Sequence, residues 1–407
     1  MALDFEVIIV GAGPAGAMMA KLLAEKNFSV CVVEKEFEVG YPNKSTAATP
    51  IDTFEVFNLP DELGYSDIYS MRLFGPSKMV NMRADRILGR VLKFRETKQY
   101  LIKQAIKNGA VVIPGSEVFD FKRKENLVGV SYKGYLGKGT VWANVVVDAS
   151  GPKGVLSTKL GLWKKDEKKL GVAFEYFMEN ATPEKIKNGF FLDIYLGSKV
   201  APGGYAWIFP TGNTQVKAGI CKLRPTTKVK NEKTQVEYFN DLWRKEKQIE
   251  NAQPFEIHDC AHYITGGEKK GVLDNFIAIG DAVNKVNPLF GEGVRASFYS
   301  ATFAAEAIEE ARRRKDYSQK TLLLYEEKWR KKWGLNWTFA KIMFEMIYSV
   351  DDKQLDELIL AFGNFDTEVM YNLYVGKAKA GDYFKFLKSL PRVINPRIIA
   401  TFFRSLV

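Results

Sequence analysis

Gly11-Ala12-Gly13-Pro14-Ala15-Gly16 is the first stretch whose residue types and spacing can do chemistry. The apolar, β-prone run Phe5 to Val10 leads straight into it, and a helix-like stretch from Ala17 to Lys26 follows. A second β-prone run, Ser29 to Val33, ends at Glu34 and Lys35. Each part of this strand–turn–helix–strand order has a physical job. Gly11 permits a tight turn, Gly13 lets a pyrophosphate approach the backbone, and Gly16 allows helix to pack closely on strand. The free N–H groups at the helix start face the phosphates with the helix dipole behind them, and Pro14 and Ala15 in the turn before it are expected at the cofactor. Glu34 stands about 20 residues on, where a carboxylate accepts the ribose hydroxyls. A carboxylate there repels a 2′-phosphate, so the expected ligand is FAD or NAD.

A second constellation selects FAD. Phe276 to Ile279 is another apolar run, followed by Gly280-Asp281-Ala282, then Asn287-Pro288-Leu289-Phe290-Gly291-Glu292-Gly293-Val294 and a helix-like segment through Ala307. An aspartate at a strand end suits the ribityl chain of FAD. A helix start near Gly293 and Val294 suits the negative charge of a reduced flavin ring. A plain NAD dehydrogenase has no need of such a second site. Between the two lies Val145 to Asp148 with Ala149-Ser150-Gly151, a strand running into a small-residue turn, where Ala149 and Gly151 are expected at the cofactor.

Tyr205, Trp207 and Phe209 alternate with Ala206 and Ile208, so an extended strand puts three rings on one face. That face suits an apolar wall beside the flavin, and it suits ordinary sheet-core packing equally well. His258, Cys260 and His262 also alternate. Only these two histidines exist in the chain, and the trio reads as chance composition on a sheet edge with no metal expected.

The elements that must position these groups follow from the pattern. The chain is expected to be α/β with an α+β insert. A Rossmann-like FAD-binding domain is assembled from residues 1–60, 90–160 and 260–320. A β-rich substrate domain takes 61–89 and 161–259, and a small helical C-terminal domain takes 321–407. Glu96 to Asn108 reads as a helix capped by Gly109 and feeding a strand from Ala110 to Ile113. With 407 residues, 46% hydrophobic, two or three cores can form. Three scattered cysteines suit a reducing, cytoplasmic compartment, and no apolar run reaches the length of a membrane-spanning helix.

A net charge of +11 calls for an acidic partner, such as an anionic lipid surface, an anionic substrate or an acidic electron carrier. Zinc-finger spacing, a basic zipper and RNA-binding aromatic motifs are all missing, so nucleic acid is not expected. Basic runs at Arg312 to Lys315 and Lys328 to Trp333 read as solvated helix faces. From Gly376 onward seven Lys or Arg stand against Asp382 alone, interleaved with Phe384, Phe386, Phe402 and Phe403. Such a tail, broken by Pro391 and Pro396, is expected to lie peripherally on the inner face of the cell membrane.

Taken in order, the three nucleotide blocks resemble flavoproteins built like p-hydroxybenzoate hydroxylase. With Ile194 to Gly197 and Gly204-Tyr205-Ala206-Trp207-Ile208-Phe209-Pro210, which matches a Y-x-W-x-F-P signature, the chain resembles the geranylgeranyl reductase family, especially the archaeal digeranylgeranylglycerophospholipid reductases. The resemblance runs through Ser349-Val350-Asp351-Asp352. It implies hydride transfer from the N5 atom of reduced FAD to isolated double bonds of isoprenoid chains, with ferredoxin or NAD(P)H as electron donor. It also implies FAD contacts at Ala15, Glu34, Val118, Asp281, Gly293 and Val294. Arg95, next to Phe94, is the nearest counterpart of the arginine that precedes the family's Phe-Asp pair. Ser45 and Thr46 stand where the family has Cys-Gly, in the loop Pro42 to Ala48. Ser45 and Tyr205 are candidates for delivering the proton. The alternatives on the same fold are an aromatic monooxygenase or halogenase, and a lipid-binding flavoprotein without turnover.

Overall fold

The structure, a computed structural model, describes residues 4–135, 137–187, 189–223, 233–263 and 270–389. Phe402, Phe403, Pro391 and Pro396 lie outside them. Valine and isoleucine dominate the short runs that build the first sheet, whose central strands are buried on both faces. Its order is Val272–Leu273, Phe276–Ala278, Gly137–Asp148, Phe5–Val10, Val30–Val33 and Val111–Ile113. All neighbours are parallel except the first pair.

The pleat sorts the side chains of this sheet. Val7 and Ile9 pack under the helices Pro14–Ala24, Phe94–Lys107 and Val294–Arg314. Ile8 and Val10 face the antiparallel meander made by Ser116–Lys124, Leu127–Gly134 and the first half of Gly137–Asp148. The first two of these helices start earlier than the sequence suggests, the first because Pro14 tolerates a first-turn position, and the third runs past Ala307 to Arg314.

The second sheet runs Gln253–Tyr263, Leu170–Glu179, Val216–Lys222, Gly204–Pro210, Gly189–Tyr195, Gly64–Phe74, Gly89–Leu92, Ala48–Pro50. Two of its strands, Ala48–Pro50 and all but the first residue of Gly89–Leu92, come from residues expected in the FAD-binding domain. Ala206 and Ile208 pack on one side with Phe239 and Leu242 of helix Gln235–Trp243. Trp207 and Phe209 pack on the other side with the C-terminal helices. Of these, Leu324–Ser349 leads, Asp352–Gly363 is capped by Asp351, and Thr367–Val375 is capped by Asp366.

The basic runs divide by face. Arg313 and Arg314 pair with Glu310 at the exposed end of their helix, where cations complement the helix dipole. Trp329 and Trp333 turn inward against Tyr299, leaving Arg330 and Lys331 exposed. Phe384 is exposed, but Phe386 is wholly buried against Phe339, Phe362 and Phe365. The expectation of a membrane-lying tail therefore fails at Phe386, because helix Ala380–Ser389 carries it into the core. No helix among the described residues is long and apolar enough to cross a membrane.

Candidate active site

Gly11 sits at φ +98°, where an added Cβ would lie 2.7 Å from the Ala149 carbonyl oxygen. A Cβ on Gly16 would meet the Gly11 carbonyl oxygen at 1.9 Å, so helix and strand touch backbone to backbone. Nothing lies within 4 Å of the Cβ position of Gly13, which leaves room over the turn. The first helical hydrogen bond is Ala17 N–H to Gly13 C=O, 2.8 Å. The N–H groups of Ala15 and Gly16 thus have no acceptor within the helix.

Glu34 is buried and accepts from Ala12 N–H at 2.5 Å and Glu36 N–H at 2.9 Å. Lys98, which sequence reasoning missed, is also buried. It donates to the Gly40 carbonyl at 2.9 Å, and burial pushes its amine down to about 7 against the pull of Glu34.

At the other end of the sheet the chain leaves Ala278 and turns through Gly280–Val283. Asp281 Oδ1 is buried without a hydrogen-bond partner. Burial, then the charge of Glu292, pushes its carboxyl up to about 7. Glu292 accepts from Arg295 N–H at 2.7 Å and so caps helix Val294–Arg314. Pro288 is buried, and Gly291 and Gly293 bracket this helix start.

A cavity of about 320 Å³ opens from this helix start. It passes between the second sheet and the C-terminal helices, with Trp207, Phe209, Leu73, Phe339, Met343 and Phe386 on its walls. Ser45 and Thr46 line it, as do Glu175, His258, Cys260 and His262. The last three therefore are not incidental edge residues. Their strand is at the edge of the sheet, but its inner face forms part of the cavity. Among the described residues no cluster has the makings of a metal site.

The other sequence candidates fall into distinct places. Tyr205 lines the cavity, and its hydroxyl donates to the Phe290 carbonyl at 2.6 Å. Burial raises its ionisation well above the ordinary phenol value. Ser45 Oγ accepts from Ala47 N–H at 3.0 Å, shaping the loop. Val118 is buried beside Ile8 and Val33. Ala149 meets the glycine turn, and Gly151 follows it. Two expected cofactor contacts are otherwise engaged. Arg95 is exposed and donates to Glu38 at 2.9 Å, and exposed Lys35 pairs with Glu36.

Residues 4–60 match the model of an FAD binding domain, and residues 170–261 match the geranylgeranyl reductase catalytic domain. A digeranylgeranylglycerophospholipid reductase of Haloferax volcanii is 31% identical over 88% of each chain. The chain belongs to the geranylgeranyl reductase family of FAD-binding flavoproteins.

The fold agrees. A geranylgeranyl bacteriochlorophyll reductase-like protein from Thermoplasma acidophilum superposes with a TM-score of 0.85, at 20% identity, over 98% of this chain and 99% of the other. A halogenase solved with phloroglucinol and FAD gives 0.70 at 16% identity, covering 98% and 90%. The cofactor of this family member is FAD, and the residues present fit it. The turn has an open cradle over Gly13, and Asp281 has a buried oxygen in want of donors. Helices start at Pro14, beside that turn, and at Val294, on the cavity wall.

Proposed function

We propose that this flavoprotein saturates isolated double bonds of geranylgeranyl chains on archaeal-type ether lipids. The observation that carries the reading is the apolar cavity that begins at Gly291–Val294 and runs between aromatic and aliphatic walls. The names of its relatives as digeranylgeranylglycerophospholipid reductases agree with it. Bound and reduced, FAD supplies the hydride. Gly11, Gly13, Pro14, Ala15 and Gly16 would hold the pyrophosphate, Glu34 the ribose and Asp281 the ribityl chain.

Residues Gly280, Pro288, Gly291, Gly293 and Val294 shape the flavin end. An unactivated alkene offers no carbonyl to polarise, so the chain's main contribution is positioning. Trp207, Phe209 and Met343 exclude water and hold the hydrocarbon extended. Tyr205 braces the wall through Phe290 and is a poor acid there, since its hydrogen is already given to a carbonyl. The exposed Arg313, Arg330 and Lys331 suit an anionic membrane surface or an acidic carrier such as a ferredoxin, with NAD(P)H as the other donor class.

The test is spectroscopic. Under anaerobic conditions the photoreduced, bleached holoprotein is mixed with a geranylgeranylated glycerophospholipid. The reading expects the yellow flavin spectrum to return with the lipid and not with its saturated counterpart. A flavin that stays bleached with several prenyl lipids rejects it.

A further inference from the structure

A hydrocarbon-binding cavity has no evident use for charge, yet this one has a buried carboxylate and imidazole in its wall. Glu175 and His258 are each 3% exposed at the side chain, and Glu175 Oε1 lies 2.7 Å from His258 Nδ1. The other Glu175 oxygen accepts from Trp207 Nε1–H at 3.2 Å and from the Thr46 hydroxyl. Desolvation opposes the Glu175 charge, but its contacts with His258, Lys217 and Thr46 outweigh it and hold the carboxyl below its ordinary range. Lys217, buried beneath the pair, donates to the Thr46 carbonyl at 3.2 Å.

On the far side of the imidazole, Glu256 Oε1 stands 3.0 Å from His258 Nε2, within ion-pair distance although not aligned as a hydrogen bond. The Glu256 side chain is 42% exposed. Four groups thus form a line from solvent to the cavity: Glu256, His258, Glu175, Thr46. Two strands and a loop contribute to it. Pairing of Glu175 opposite His258 in adjacent strands fixes its middle.

We propose that this line is a proton path that supplies the cavity during double-bond reduction, with Thr46 as its inner donor. The proposal rests on the reductase reading above. Saturating one double bond takes up a hydride, which carries both electrons, and one proton, and both new bonds are C–H. The hydride comes from the reduced cofactor, and the proton must come from solvent through a wall that otherwise excludes water. An imidazole moves a proton by accepting at one nitrogen and releasing at the other, which matches a ring with a carboxylate at each end. In the resting arrangement the Thr46 hydroxyl donates to Glu175. Once Glu175 has taken a proton from His258 the bond reverses, Thr46 accepting from the Glu175 carboxyl as it releases its own hydrogen into the cavity, and Glu256 returns a proton from water to His258. The charged groups around the ring are Glu175 and Lys217 from neighbouring strands and Glu256 on its own. Arg95 and Glu96 of helix Phe94–Lys107 lie farther out. A static buried ion cluster that merely fixes strand pairing would need no exposed end.

The chain has two histidines, so their ring hydrogens can be resolved individually by nuclear magnetic resonance of the holoprotein. The probe is Glu256→Gln, a surface change that leaves the core intact. The path expects solvent exchange of the His258 ring hydrogen to slow about tenfold or more. His262, which faces Cys260 Sγ at 3.4 Å, should be unaffected. Unchanged exchange at His258 overturns the path.

With a prenyl lipid, Glu256→Gln should reoxidise the reduced flavin about tenfold more slowly, show a larger solvent isotope effect, and recover with added acetate. An unchanged rate and isotope effect would also overturn the path. If wild-type protein reduces no prenyl lipid, the reductase reading fails, while the exchange measurement still decides whether the path exists.

Discussion

Replacing Asp281 with asparagine should stabilise the cofactor-free protein and weaken its grip on FAD, and both effects should depend on pH. Burial and the charge of Glu292 hold the Asp281 carboxyl at about 7 in place of its ordinary 3.8. A carboxyl raised by folding contributes its full stability below its ordinary value and loses it as pH climbs through the folded value. Each pH unit across that window costs about 1.4 kcal/mol, so roughly 4 kcal/mol is lost by about pH 8. Asparagine keeps the shape and never ionises, so the variant avoids the loss.

The assay is chemical unfolding of wild-type and Asp281→Asn apoprotein from pH 5 to 8. The variant's advantage should grow with pH across that range. Hydroxyl donors on bound FAD would relieve the carboxylate, so wild-type binding near neutral pH should release up to about half a proton more than the variant does. Calorimetry in buffers of different ionisation enthalpy measures that release. A stability difference that stays flat with pH would refute the reasoning.

Gly16→Ala should purify without flavin and lose about 3 kcal/mol or more by denaturant unfolding, since its Cβ would overlap the Gly11 carbonyl at 1.9 Å. Met343→Trp should keep its FAD spectrum while flavin reoxidation by a prenyl lipid falls at least about tenfold, because the new ring fills the cavity. The thiols of Cys31, Cys221 and Cys260 are each pushed up to about 12, mainly by burial, so a disulfide reagent at pH 8 should label them only after unfolding. Phe386→Ala should cost about 3–5 kcal/mol in a denaturation curve, as expected of a core ring.

The cofactor end was legible because its parts are contiguous. Gly11 to Gly16 with Glu34, and Gly280 with Asp281, each lie within one strand–turn–helix, where local chain geometry dictates function. The alternation of Tyr205, Trp207 and Phe209 likewise carries its own periodicity, and the rings share the face it implies.

Glu175, Lys217 and His258 were not legible. They sit singly on three strands, and only the antiparallel pairing of Leu170–Glu179 with both Val216–Lys222 and Gln253–Tyr263 brings them together. His258 to His262 gave an alternating signal. Which face they present depends on that pairing, so they read as an edge. Lys98 had the same difficulty, since Gly40 reaches it only through the fold. Phe386 was assigned to a surface tail because composition averages over a helix, whereas burial is decided one face at a time.

The central claim is that a prenyl chain enters this cavity and leaves saturated. Reduced holoprotein incubated with a geranylgeranylated glycerophospholipid, followed by mass spectrometry of the recovered lipid, tests it most directly. The account predicts product masses higher by two hydrogens for every double bond reduced, and by two deuteriums when the protein is equilibrated in heavy water, because the N5 hydrogen of a reduced flavin exchanges with solvent. Recovery of unchanged lipid from protein that retains bound, reduced FAD, across several prenyl substrates, would contradict it.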